Sequence, residues 1–240
     1  MDNIKFSEKD LDTILSKKMF YHLYQPLYNL SNWKIYGYEA FFRTEQVNNP
    51  ELFFLLAKKY QKLYELDILS IFHAIATYWR KRKGFESKLF INIFPSTIIH
   101  PEFTRFLNEV TSIFTFKTKN IVFEINEQEE ITDFSLIKKA IYSLKEQGFQ
   151  IALDDVGKGF YSLRHLIELE PDFIKLDKYF SHNLSNCEKK QNLIKSLIDY
   201  CNEEIVLILE GIEKAEDLAI AKVLHVPIVQ GYLLDKPSIL

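Results

Sequence analysis

The strongest constraint on this chain is a repeated unit: a short, unbroken apolar run that closes on a polar residue, followed by a stretch of helical periodicity. The runs are KLFINIF (88–94), NIVFEI (120–125), FQIALDD (149–155), DFIKLD (172–177), EIVLILEG (204–211) and PIVQGYLL (227–234). Helical periodicity covers 50–63, 65–82, 101–113, 134–147, a short segment from 161, 188–203 and 214–223, with Gly148 as a C′ glycine. Strands covered on both faces read as continuous apolar runs, as IVLIL does. Strands that alternate with helices predict βα units and a parallel sheet.

Two further strands, FYHLYQPLY (20–28) and KIYGYEAFF (34–42), are separated only by the turn Asn29-Leu30-Ser31-Asn32. A parallel pair needs a crossover of a dozen or so residues, so one of these two runs antiparallel. Eight strands suggest closure. The predicted fold class is therefore α/β, a TIM-like (β/α)8 barrel with one early antiparallel strand. The 240 residues suit such a barrel, which takes roughly 250. No linker or low-complexity tract divides them, and residues 1–240 read as one domain. Within it, residues 1–18 carry Ile4, Phe6, Leu11, Ile14 and Leu15 at amphipathic spacing and are expected to form a helix that plugs the end of the barrel.

A formal net charge of −3 argues against binding a DNA or RNA polymer, which calls for a basic face. No apolar stretch reaches the roughly 18 residues of a membrane span, and the N-terminus lacks the apolar core of a signal peptide. No membrane association and a cytoplasmic location are expected. Cys187 and Cys201 have no ligand spacing and read as ordinary thiols in a reducing compartment.

Polar residues interrupt the strands near their ends: Glu39, Asn92, Glu124, Asp154 with Asp155, Lys175, Glu210 and Gln230. Barrel active sites form at the C-terminal ends of the strands. Any one Asn or Gln there is more often a locally satisfied polar group, but that reading does not extend to the set. Carboxylates converging on one rim (Glu39, Glu124, Asp154, Asp155, Glu210) repel and raise one another's pKa. Divalent cations remove the repulsion and take hard oxygen ligands, and a pair of them suits phosphoryl chemistry. Lys175 is placed to hold a phosphate oxygen or orient a water. The loop Gly157-Lys158-Gly159 follows the acid pair directly; it reads equally as a tight loop at a site or a plain turn, and it is not a Walker loop.

Taken together these segments resemble the EAL family of cyclic di-GMP phosphodiesterases, over about Tyr21 to Pro237. GYEAFFR (37–43) is similar to the family's GYEALLR, INIF (91–94) to VNLS, and FEINE (123–127) to LEITE. LDDVGKGFYSL (153–163) is similar to LDDFGTGYSSL, IKLD (174–177) to LKID, LEGIE (209–213) to AEGVE, and VQGYLLDKP (229–237) to VQGYLFSRP. The resemblance implies that Glu39, Asn92, Glu124 and Asp154 ligate one Mg²⁺ or Mn²⁺. Asp154 then bridges to a second ion, which Asp155 also ligates. It further implies that Lys175, Asp155 and Glu210 activate or position the attacking water, that Gln230 lines the site, and that Gln25 and Arg43 contact substrate. Glu127 would hold the loop after the acid pair. The implied reaction opens cyclic di-GMP to linear pGpG, and the implied assembly is a homodimer formed around that loop.

The chain departs from the pattern at Phe41, Phe94, Asn126, Val156 and Lys158, none of them a matched ligand. Lys158 stands where the family has threonine; beside metals it weakens their binding or pairs with Glu127, and otherwise it faces solvent. A non-catalytic receptor for cyclic di-GMP, or a protein-binding adaptor on the same fold, is the competing function. Completeness of the acid set favours the enzyme. The chain carries neither sensor nor cyclase domain, so control is expected from dimerisation, expression or a regulatory protein partner, unless the chain is part of something longer.

Overall fold

The computed structural model describes residues 6–47, 49–81, 87–126, 129–131, 133–158, 163–202 and 204–240. Eight strands close into a barrel in sequence order: β1 (Tyr21–Asn29), β2 (Ile35–Arg43), β3 (Lys88–Ile93), β4 (Ile121–Ile125), β5 (Gln150–Val156), β6 (Phe173–Leu176), β7 (Val206–Leu209) and β8 (Ile228–Val229). β1 runs antiparallel to both β2 and β8, and every other neighbouring pair is parallel. The antiparallel strand inferred from the short first turn is thus β1.

The helices are α1 (Glu8–Lys17), α2 (Pro50–Lys59), α3 (Leu63–Lys81), α4 (Pro95–Ile98), α5 (Phe103–Ile113), α6 (Phe134–Glu146), α7 (Leu163–Leu169), α8 (Lys178–Ser181), α9 (Glu188–Cys201) and α10 (Ala215–Val223). Side chains stop the orphan N–H groups at several starts: Ser7 and Asp10 form a capping box on α1, Asn49 caps α2 ahead of Pro50, and Asp133 caps α6. The single turns α4 and α8 have too few residues to give a periodic signal and are absent from the sequence expectation.

Alternation along each strand divides the core in two. One set of side chains (Leu27, Phe90, Val122, Ala152, Phe173, Ile208 and Ile228) fills the barrel interior. The other set, including Leu89, Ile91, Ile93, Phe123, Ile125, Ile151 and Leu153, packs outward beneath the helices.

The N-terminal helix is placed differently from expectation. Leu11, Ile14 and Leu15 of α1 join Phe20, Phe42, Phe53, Ala57 and Leu66, a cluster separate from the interior set. α1 therefore flanks the barrel against α2 and α3 instead of plugging it, because the aromatic ends of β1 and β2 offer it an apolar seat. The last strands are also shorter than expected. β7 stops at Leu209 and β8 at Val229, so Glu210 and Gln230 stand just past their strands. Gly231 turns the chain away against the backbone of Ile212, where an added Cβ would lie 2.0 Å from the Ile212 carbonyl oxygen. Cys187 and Cys201 are both free thiols. Among the described residues no helix is long and apolar enough to cross a membrane.

Candidate active site at the barrel rim

The interior apolar layer dictates where the polar residues go. Two residues beyond Phe90, Val122, Ala152, Phe173, Ile208 and Ile228 come Asn92, Glu124, Asp154, Lys175, Glu210 and Gln230. A spacing of two keeps a side chain on the same face of its strand, so all six continue the interior face toward the C-terminal rim. Glu39 sits on β2 opposite Phe90, and Gln25 on the antiparallel β1 opposite Glu39. The rim set is therefore a second layer above an apolar floor.

Asp154 and Asp155 are successive, and in a regular strand they would face opposite ways. The ladder slips here: Leu153 pairs with Ile174 but Val156 with Leu176, so β5 carries one extra residue. Asp155 takes up the bulge with φ of +52°, a left-handed conformation that Asp tolerates better than most residues. The bulge lets both acids approach the rim. The carboxylate oxygens of Asp154, Asp155 and Glu210 lie within 4.8 Å of one another.

Lys175 occupies the centre. Its Nζ is 2.7 Å from Glu124 Oε1, 2.7 Å from Glu210 Oε1, 2.8 Å from Asp154 Oδ1 and 3.1 Å from Glu39 Oε2. Asn92 Nδ2 donates to Glu124 Oε2 at 3.3 Å. Lys175 is 1% exposed. Burial alone would lower its pKa, but Asp154, Glu124, Glu210 and Glu39 outweigh burial and hold it well above the usual lysine range. Glu39, Glu124 and Glu210 are all raised, and burial is the largest cause for each. Mutual repulsion, the cause expected from the sequence, is secondary, and Lys175 opposes it. Lys175 thus sits as one buried cation among four acids.

The remaining residues spread around a cavity of about 490 Å³ that opens above this layer, lined among others by Gln25, Arg43, Phe41, Phe54, Phe94 and Asn126. Gln25 Nε2 donates to the Asp235 carbonyl at 2.8 Å. Arg43 donates from Nη1 to the Phe42 carbonyl at 2.7 Å and lies over the Phe41 ring. Gln230 is 4% exposed in the cavity wall. Lys158 Nζ pairs with Asp155 Oδ2 at 2.7 Å, so this cation faces the acids. Glu127 and Gly159 lie outside the described residues.

Asp67 also lines the cavity, and the sequence expectation omitted it. It lies on the buried face of α3 with Leu63, Leu66, Ser70 and Ile71. Its Oδ2 accepts the Phe94 N–H at 3.0 Å, which ties the end of β3 to α3. Burial pushes its carboxyl up to about 7. An acid among the mostly apolar residues of a helical face was the available signal.

The model of the EAL domain matches residues 8–237. This chain belongs to the EAL domain family. The curated EAL relatives include the probable cyclic di-GMP phosphodiesterase PdeG of Escherichia coli (strain K12), 30% identical over 226 residues, which span 89% of this chain and 44% of PdeG. The blue light- and temperature-regulated antirepressor BluF of the same organism is 26% identical over 97% of this chain and 58% of its own length. Among solved EAL structures, the enzyme Bd1971 with cAMP and cyclic di-GMP bound superposes with a TM-score of 0.85 at 26% identity, covering 96% of this chain and 65% of that one. The chain spans 26% to 44% of the length of three curated cyclic di-GMP phosphodiesterases that it matches.

Proposed function

We propose that this EAL domain is a metal-dependent phosphodiesterase that hydrolyses cyclic di-GMP to linear pGpG. The observation that carries the reading is the intact rim: Glu39, Asn92, Glu124, Asp154, Asp155, Lys175, Glu210 and Gln230 all reach one cavity or its floor.

The donor set fits divalent metal. It consists of carboxylate and amide oxygens, the hard ligands that Mg²⁺ and Mn²⁺ take, and three of its acids already converge. Glu39, Asn92, Glu124 and Asp154 would hold one ion, and Asp154 with Asp155 a second. Bound there, such ions supply charge neutralisation for the phosphodiester and acidify water.

The chain's own residues do the rest. Lys175, kept protonated by its four acids, donates hydrogen bonds and can orient a water or a phosphate oxygen from below. Asp155 and Glu210 flank that position and accept from the water. Gln25 and Arg43 stand on the cavity wall as substrate contacts, and the apolar floor of Phe90, Val122 and Phe173 keeps bulk water from entering beneath. A cytoplasmic homodimer answering to a regulatory protein belongs to the same proposal.

A second reading, a non-catalytic receptor or adaptor, draws on two observations: Lys175 already pairs with four of the rim's acids, and one relative is named an antirepressor. Incubation with cyclic di-GMP and Mn²⁺ or Mg²⁺, with a chelated control, decides between them. Metal-dependent pGpG supports the enzyme; calorimetric binding with no product supports the receptor.

A further inference from the structure

We propose that Lys158 is a built-in competitor for the metal ion at Asp155, and so sets how much metal that side of the rim requires. This rests on the metal-dependent reading above and refines it.

The turn that leaves the acid pair folds Lys158 back onto Asp155 twice. The Lys158 N–H donates to the Asp155 carbonyl at 3.1 Å, and the ammonium pairs with Asp155 Oδ2 at 2.7 Å. Gly157 makes the return possible at φ of +99°, where an added Cβ would meet the Phe180 ring at 2.4 Å. Asp155 is itself in the bulge at φ of +52°, and its Oδ2 is the oxygen that Lys158 holds. The acid that faces Asp154 and Glu210 within 4.8 Å is thus also the acid that Lys158 holds.

Charge argues the same way. With their carboxylates ionised, Glu39, Glu124, Asp154, Asp155 and Glu210 cancel Lys175 and two divalent ions. Lys158 makes the loaded rim one unit positive until an anionic phosphodiester arrives. An ion that takes Asp155 Oδ2 must displace the ammonium, and one held at Oδ1 must tolerate it nearby. The pair is half-exposed, with side chains 49% and 27% accessible. The exchange itself is therefore worth little, and repulsion between the two cations is the larger part.

The test is calorimetric titration of the full chain with Mn²⁺ alone, at fixed pH and ionic strength, for the natural sequence, Lys158→Met and Lys158→Arg. Lys158→Met is expected to tighten the weaker Mn²⁺ event by about 5- to 50-fold, given a half-exposed charge. Lys158→Arg keeps the charge and is expected to stay within about twofold of the natural chain on the same argument. Equal affinity in Lys158→Met and the natural chain, with Mn²⁺ still bound, overturns the competitor role and leaves the metal reading intact. Folded protein that binds no Mn²⁺ in any of the three overturns the metal reading and the competitor role together.

Discussion

The Nζ of Lys175 on β6 lies 2.7 Å from the Oε1 of Glu124 on β4, and neither side chain is more than 1% exposed. A buried pair of this kind is costly to break from one side, because the surviving charges keep no partner. Lys175→Met should therefore destabilise the metal-free domain by about 3–5 kcal/mol. Mn²⁺ should restore much of that loss while turnover stays low. Urea unfolding with and without chelator, alongside pGpG formation, checks both parts; equal stability in chelator would remove Lys175 from the centre of the rim.

Glu39 reaches the same lysine from β2 at 3.1 Å. As a ligand it has no substitute on its strand, since Gly37 is the preceding interior-facing position. Glu39→Ala is expected to lose metal affinity and activity together. Unchanged Mn²⁺ affinity in calorimetry would contradict the assignment.

Gly231 has no room for a side chain. An added Cβ would lie 2.0 Å from the carbonyl oxygen and 2.3 Å from the nitrogen of Ile212, both backbone atoms. Gly231→Ala must push apart the segments after β7 and β8, where Ile212 N–H donates to the Gln230 carbonyl at 3.0 Å. A stability loss above roughly 2 kcal/mol, in the range of overpacked sites, is expected. Thermal unfolding of the variant measures it, and a native midpoint would show that the backbone yields cheaply.

His22 is 3% exposed, with Nε2 3.0 Å from Ser70 Oγ and Nδ1 3.2 Å from His73 Nδ1. Burial lowers its pKa from 6.5 to about 3, and His73 and Arg43 add to the effect. The unfolded chain takes up a proton below pH 6.5 that the folded domain refuses. The stabilising contribution is therefore complete above pH 6.5 and is lost as pH falls toward 3, at up to about 1.4 kcal/mol per unit. Urea midpoints from pH 7.5 to 4.5 should fall less steeply in His22→Gln; parallel curves would mean that another group governs the acid limb.

The strand order and the layer of rim residues were legible in the chain because strand periodicity is local, and the short first turn required one antiparallel strand without saying that it is β1. Phe90 to Asn92, or Phe173 to Lys175, is a spacing of two that any extended backbone turns into a shared face. The seat of α1 was not legible. Its apolar stripe fits any apolar surface, and only the packed molecule offers Phe20, Phe42 and Phe53 as that surface.

What the sequence by itself determined is thus the list: eight strands, their intervening helices, and one polar residue or pair delivered at the end of each strand from β2 onward. What only the tertiary structure decided is how those residues meet. Barrel closure and register place Lys175 between acids from β2, β4, β5 and the end of β7. A bulge at Asp155 brings two successive acids to one rim. Asp67 enters from α3, and Lys158 turns back onto Asp155. Each of these is a distance between segments remote in the chain or set by a local break in regularity. Periodicity carries no information about such distances; register, closure and packing do.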